Sequence, residues 1–189
     1  MVSIIANNCT GGYIYMDSHL QYGSPTMWTQ ILPQEFPKFC KNLKHYMTCE
    51  LKEYTEVSDT HMEQITKLLH QPPYFPLGIV DDVVILFQHY TSFEQAKEKW
   101  DKRKKRIDYG HIGYVFCLLE PYIDEAIEFE SLDLKNSFLF TRSFDIPGKH
   151  IRFEVPEGCE YLGANPHTGQ RCFYGNITIN DVLSAIRGK

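Results

Sequence analysis

Short apolar runs separated by amphipathic stretches organise this chain. Residues 2–6, 83–87 and 112–119 read as buried strands. Between the last two lies a charged segment in which Phe93, Ala96, Trp100, Arg103 and Ile107 recur at spacings of three and four, the period of a helix with one apolar stripe. Strand, helix and strand in that order predict a βαβ crossover. Such a unit would put His89 at the carboxyl end of a strand, where open α/β sheets bind their ligands. Residues 33–48 predict a helix through Phe36, Phe39, Cys40, Leu43 and Met47, starting at or just before Pro37. Further helices are predicted over 59–70, 122–129 and 179–186, the last capped by Thr178 or Asn180. Further strands are predicted over 49–54, 77–80, 137–141 and 150–155, the last at a sheet edge. Residues 7–12 read as a turn-rich loop and 13–32 as irregular. The alternation predicts one α/β domain over residues 1–189, with a mostly parallel sheet and helices on both faces.

Composition narrows the partners. Net charge is −5 with a pI near 5.9, which argues against a nucleic-acid-binding domain. Residues 97–106 run against that balance, with seven cations and two anions, and point to an anionic small-molecule substrate. Six cysteines are scattered without a CxxC pair. No signal peptide is visible, and no apolar run approaches the ~18 residues of a membrane helix. Reduced thiols and a cytoplasmic location are the expectation. The histidines show no HxxxH or HxH spacing, so no metal site is expected. Neither GxGxxG nor GxxxxGK[ST] occurs, and the motifs identify no particular cofactor or oligomeric state.

The candidate chemistry gathers at strand ends. Cys9 follows the first strand, and Gly11-Gly12 would let the backbone turn and aim bare N–H groups at a ligand. If the sheet order brings that exit beside His89, thiol and imidazole converge as nucleophile and base, with the Gly11 and Gly12 amides near a developing oxyanion. Glu120, at a third strand end, could orient the imidazole. The bland readings are a small core cysteine, a histidine capping the sheet edge and a solvated glutamate. Arg103 sits on the apolar stripe of its helix beside Trp100. A guanidinium there needs an internal carboxylate or a bound anion, which Arg106 could share. The lysines around them read as a solvated face. Tyr22-x-Ser24-Pro25-Thr26 is a stiff hydroxyl-rich loop, either lining a pocket or serving as turn chemistry alone.

Asn8-Cys9-x-Gly11-Gly12, Tyr22-x-Ser24-Pro25-Thr26, and His89-Tyr90 followed by Ala96, Trp100, Arg103, Arg106 and Ile107 together resemble the DUF1919 family of bacterial proteins. The resemblance covers roughly residues 1–145. It implies a three-layer α/β/α domain loosely similar to the Rossmann arrangement, and a setting in exopolysaccharide or capsule biosynthesis.

Three functions follow as expectations. The first is an acyltransferase-like transferase acting on a sugar or sugar-nucleotide precursor. In it Cys9 and His89 are catalytic, and Asn8, Gly11, Gly12, Tyr22, Ser24, Arg103 and Arg106 hold a phosphate-bearing sugar or acyl donor. The second is a nucleotide-sugar-binding or glycosyltransferase-like protein without a covalent step. The third is a non-catalytic assembly partner.

Overall fold

The computed structural model describes residues 2–188. In chain order the elements are β1 (Ser3–Ala6), α1 (Thr10–Asp17), β2 (Gln30–Ile31), α2 (Phe36–Lys41), α3 (Leu43–Thr48), β3 (Leu51–Glu53), α4 (Asp59–Leu69), β4 (Leu77–Val80), β5 (Val83–Leu86), α5 (Phe93–Lys104), β6 (Ile112–Leu118), α6 (Ile123–Ser131), β7 (Ser137–Arg142), β8 (Ile151–Phe153), a 3-10 turn (Cys172–Tyr174) and α7 (Ile179–Arg187). The fold is α/β. Its strands form two sheets, a parallel one ordered β1-β6-β7-β8 and an antiparallel one ordered β2-β5-β4-β3.

Apolar faces fix the layers. On one side of the parallel sheet, Ile14 and Tyr15 of α1, Phe173 of the 3-10 turn, and Val182 and Ile186 of α7 pack on Ile4, Ala6, Val115, Cys117 and Phe140. On the other, Phe36 and Phe39 of α2 with Ala126 and Phe129 of α6 cover Ile5, Phe116, Leu118 and Leu139. That core continues to Trp100 of α5 and to Ile85 and Phe87, whereas Val84 and Leu86, with the opposite strand parity, face Ile65 of α4. The expected α/β/α layering therefore holds for the parallel sheet.

Asn7 joins the sheets. Its backbone N–H donates to Val115 O of β6 at 3.2 Å, and its carbonyl accepts from Ile31 N of β2 at 2.8 Å. Its side chain spans Cys117, donating to the carbonyl at 3.1 Å and accepting from the amide at 2.8 Å. Every hydrogen-bonding group of a nearly fully buried residue is thus committed at one point.

The free edge of β1 is closed by hydroxyls in place of a strand. Ile4 N–H donates to Tyr15 Oη at 2.8 Å, Ser24 Oγ donates to Ile4 O at 2.5 Å, and Ala6 N–H donates to Thr26 Oγ1 at 3.2 Å. An unpaired edge would otherwise bury orphan amides or invite another chain. The Tyr22–Thr26 loop is therefore the edge cover of this sheet.

Three expectations are corrected. The βαβ crossover across residues 83–119 does not form a parallel pair, because β2 and β4 occupy both edges of β5, while β1 and β7 occupy both edges of β6. The helix expected over 33–48 breaks into α2 and α3 at Asn42, whose backbone leaves the helical region and whose side chain bonds Lys38 O. The loop expected at Gly11-Gly12 is the first turn of α1. Asn8 Oδ1 starts that helix by accepting from Thr10 N at 3.1 Å and Thr10 Oγ1 at 2.7 Å.

Replacing Asn7 by Ala strands the Cys117 amide and frees the junction. Asn7→Asp additionally sets a carboxylate oxygen against the Cys117 carbonyl. Each lost buried partner costs about 1–3 kcal/mol, so urea unfolding should show both variants destabilised, Asp at least as strongly as Ala.

Candidate functional site

The two candidate catalytic side chains meet. Cys9 Sγ lies 3.2 Å from His89 Nε2, although 80 positions separate them in the chain. Cys9 is 5% exposed and stands immediately before α1, whereas His89 is exposed to solvent. Burial pushes the thiol up from its ordinary 9.0 to about 12, opposed by the Cys9 amide aimed at its own sulfur. The resting sulfur is a neutral S–H. It stands within hydrogen-bond reach of His89 Nε2, and donates to that nitrogen in the tautomer that carries its ring proton on Nδ1.

Helix geometry supplies further donors. The first amides of a helix have no intrahelical acceptor. Thr10 N–H is taken by Asn8 and Tyr13 N–H by Cys9 O, which leaves Gly11 and Gly12 with no backbone acceptor among the described residues. The glycines themselves are demanded by packing. A Cβ on Gly11 would lie 2.7 Å from Ala6 Cβ, and one on Gly12 about 2.9 Å from the Trp28 ring.

Trp28 is the strained element here. Its φ of +59° is unfavourable for a bulky side chain and stores on the order of 1–3 kcal/mol. That backbone aims the indole between Gly12 and His89, whose ring it meets edge-on at 5.5 Å, with Tyr13 edge-on at 5.1 Å. The indole therefore limits how far the imidazole can swing from the thiol.

The carboxyl-terminal segment completes the surroundings. Arg171 covers the Tyr13 ring at 4.0 Å, forms a two-pronged pair with Asp17 at 2.9 and 3.0 Å, and donates to Leu162 O. This clamp holds the segment carrying Tyr161, whose phenol is pushed well above its ordinary pKa, chiefly by burial. Tyr161 also walls a cleft of about 380 Å³ at the carboxyl edge of the parallel sheet, with Asn8, Gln30, Gln88, Glu120 and Arg142. Arg142, at the end of β7, has no ion-pair partner among the described residues.

The remaining sequence candidates lie elsewhere. Glu120 lines the cleft and makes no hydrogen bond to His89. Arg103 donates to Tyr90 Oη at 2.7 Å and lies over the Tyr22 ring, and Arg106 donates to Tyr22 O at 3.2 Å. Their contacts are with neutral groups, and neither lines the cleft. Ser24 is fully buried with its hydroxyl committed to β1. Asn8 both caps α1 and lines the cleft. Sequence reasoning missed Trp28, Tyr161, Arg142 and Arg171, which carry no motif. A tryptophan in left-handed backbone is invisible in one dimension.

A family model described as "Domain of unknown function (DUF1919)" matches residues 1–146. An uncharacterised protein of Haemophilus influenzae is 26% identical over 174 residues, covering 87% of this chain and 77% of that one. Tyr161 and Arg171 lie beyond the family match. Among the described residues no helix is long and apolar enough to cross a membrane.

The thiol's elevated pKa has a stability consequence. A folded-state value raised to about 12 favours the folded protein fully below pH 9, and this contribution is lost as pH rises from about 9 towards 12. Unfolding free energy should fall with pH across that window, and Cys9→Ser should remove up to about 1.4 kcal/mol per pH unit of the slope. Denaturant titrations at stepped pH measure the difference.

Proposed function

The chain belongs to the DUF1919 family, and from that premise we propose that it is a cysteine-dependent acyltransferase with Cys9 as nucleophile and His89 as base. The observation that carries the reading is the 3.2 Å contact between Cys9 Sγ and His89 Nε2 at the start of α1. A buried neutral thiol does not attack a carbonyl unaided, and a base within hydrogen-bond reach removes that barrier.

The sequence of steps is short. His89 Nε2 takes the thiol proton as sulfur attacks the donor's acyl carbon. The Gly11 and Gly12 amides are the donors nearest the developing oxyanion, in keeping with their lack of backbone acceptors. The imidazolium then returns the proton to the leaving group, and a thioester remains on Cys9. An acceptor hydroxyl next gives its proton to His89 and attacks the thioester, and the expelled sulfur recovers the proton. Trp28 keeps the ring in place through both transfers.

Neither Cys9 nor His89 lines the cleft, which borders the pair through their preceding neighbours Asn8 and Gln88; with Gln30 and Glu120 these offer amides and a carboxylate to a polyhydroxylated acceptor, and Arg142 suits a phosphate or carboxylate on it. A sugar or sugar-nucleotide precursor of a surface polysaccharide has this chemistry and fits the setting the family resemblance implies. The same cleft favours, as a second reading, nucleotide-sugar binding without a covalent step.

An activated ester such as 4-nitrophenyl acetate distinguishes the two. The acyltransferase should release nitrophenolate in a burst and carry an acetyl group on the peptide containing Cys9. Cys9→Ala should lose both, and His89→Ala should slow acylation by about 10²–10⁴-fold. Acetylation confined to Cys49 or Cys159, or an unchanged burst in Cys9→Ala, removes the covalent reading.

A further inference from the structure

Three metal-ligating side chains, none of them part of the Cys9–His89 pair, converge where the end of α3 meets the β4–β5 turn. His45 and Cys49 stand one helical turn apart, the first within α3 and the second closing its carboxyl end, so both face the same direction. The turn between β4 and β5 brings Asp81 to them. Asp81 Oδ2 lies 2.8 Å from His45 Nε2, Cys49 Sγ lies 3.6 Å from the same nitrogen, and the three ligand atoms all fall within 4.8 Å of one another. We propose that His45, Cys49 and Asp81 form a zinc-binding site, with solvent as the fourth ligand.

Geometry and ligand type both point to this ion. An imidazole nitrogen about 2.05 Å and a thiolate about 2.3 Å from one tetrahedral zinc stand about 3.5–3.6 Å apart. The nitrogen–sulfur separation here already matches. The carboxylate sits at hydrogen-bond distance, so a small opening of the His45–Asp81 contact admits the ion. Thiolate, imidazole and carboxylate together select zinc or cobalt over magnesium or calcium, which prefer oxygen alone.

The support around the ligands is ordered. Asp81 takes left-handed backbone at φ +56°. The next residue, Asp82, is tied by Lys38 Nζ at 2.8 Å and by Tyr46 Oη at 2.8 Å, both from the α2–α3 region. These outer contacts hold the turn against α3 and fix the carboxylate beside the imidazole. Ligand exposure leaves the fourth position open and the ion free to enter. Bound zinc would clamp the α3 end to the β4–β5 turn. A search for paired histidines misses this set because the helical pair is His-x-x-x-Cys and the third ligand comes from a distant turn.

Cobalt(II) is the probe. Titrated into the reduced full chain, it should give a near-ultraviolet thiolate-to-cobalt charge-transfer band and visible bands of four-coordinate cobalt, saturating at one ion per chain and abolished by zinc. Cys49→Ser should lose the charge-transfer band, and His45→Ala should weaken binding at least tenfold, with far-ultraviolet circular dichroism unchanged in both. Cys9→Ser should keep the full spectrum, since Cys9 is not among the three ligands and β5, roughly 13 Å long, lies between the Asp81 turn and the turn that carries His89. No band in the parent chain, a band that survives Cys49→Ser, or one lost in Cys9→Ser would each overturn the proposal. None of these readouts depends on acyl transfer.

Discussion

Asn7 is the constraint on which the site depends. A parallel sheet and an antiparallel sheet have no shared ladder, so their relative placement must come from a few contacts where they approach. Asn7 supplies them by extending β1 one residue along β6, bridging both backbone groups of Cys117, and accepting from β2. The effect reaches both catalytic candidates. Cys9 follows two residues later, and β2 pairs with β5, whose chain runs on to His89. A thiol from one sheet and an imidazole from the other therefore meet because one asparagine fixes the seam.

Close approach governs the rest of the site. Gly11 lets α1 settle on Ala6, and Gly12 gives Trp28 a seat. Neither glycine is required by backbone conformation, since both are helical. An alanine at either position would gain about 1 kcal/mol of helix propensity and incur about 1–3 kcal/mol of overpacking, so the second effect wins. The strained tryptophan is stabilised by two edge-on aromatic contacts and by the clamp of Arg171 on Tyr13 and Asp17. Strain held this firmly beside a titratable pair is the usual mark of a site whose geometry matters.

Charge is distributed less simply than the chain suggests. The conspicuous basic helix spends its cations on structure: Arg103 supports Tyr90, Arg106 holds the Tyr22 carbonyl, and Lys97 and Lys104 reach Leu51 O and Cys49 O. Neutral partners suffice for the arginines because both are only half-buried and keep part of their hydration. The cation that faces the cleft is Arg142, a single residue at the end of β7 in an unremarkable strand.

Local pattern was enough to read most elements. The apolar runs of β1, β5 and β6, the stripe that buries Trp100, and the Thr178 cap of α7 all follow from neighbours a few residues away. So did the candidacy of Cys9 and His89, since strand ends are recognisable in one dimension. Which strands pair was not legible: β5 and β6 flank a helix as in a crossover, yet antiparallel partners claim both edges of β5 before β6 can reach them. The start of α1 was also missed, because it rests on a side-chain cap and on contacts across layers, not on helix propensity. Periodicity and composition are local quantities, so the sequence alone determined the elements and their buried faces. Edge occupancy, the Asn7 seam and the neighbours of each charge depend on residues tens of positions apart, and only the tertiary structure decided them.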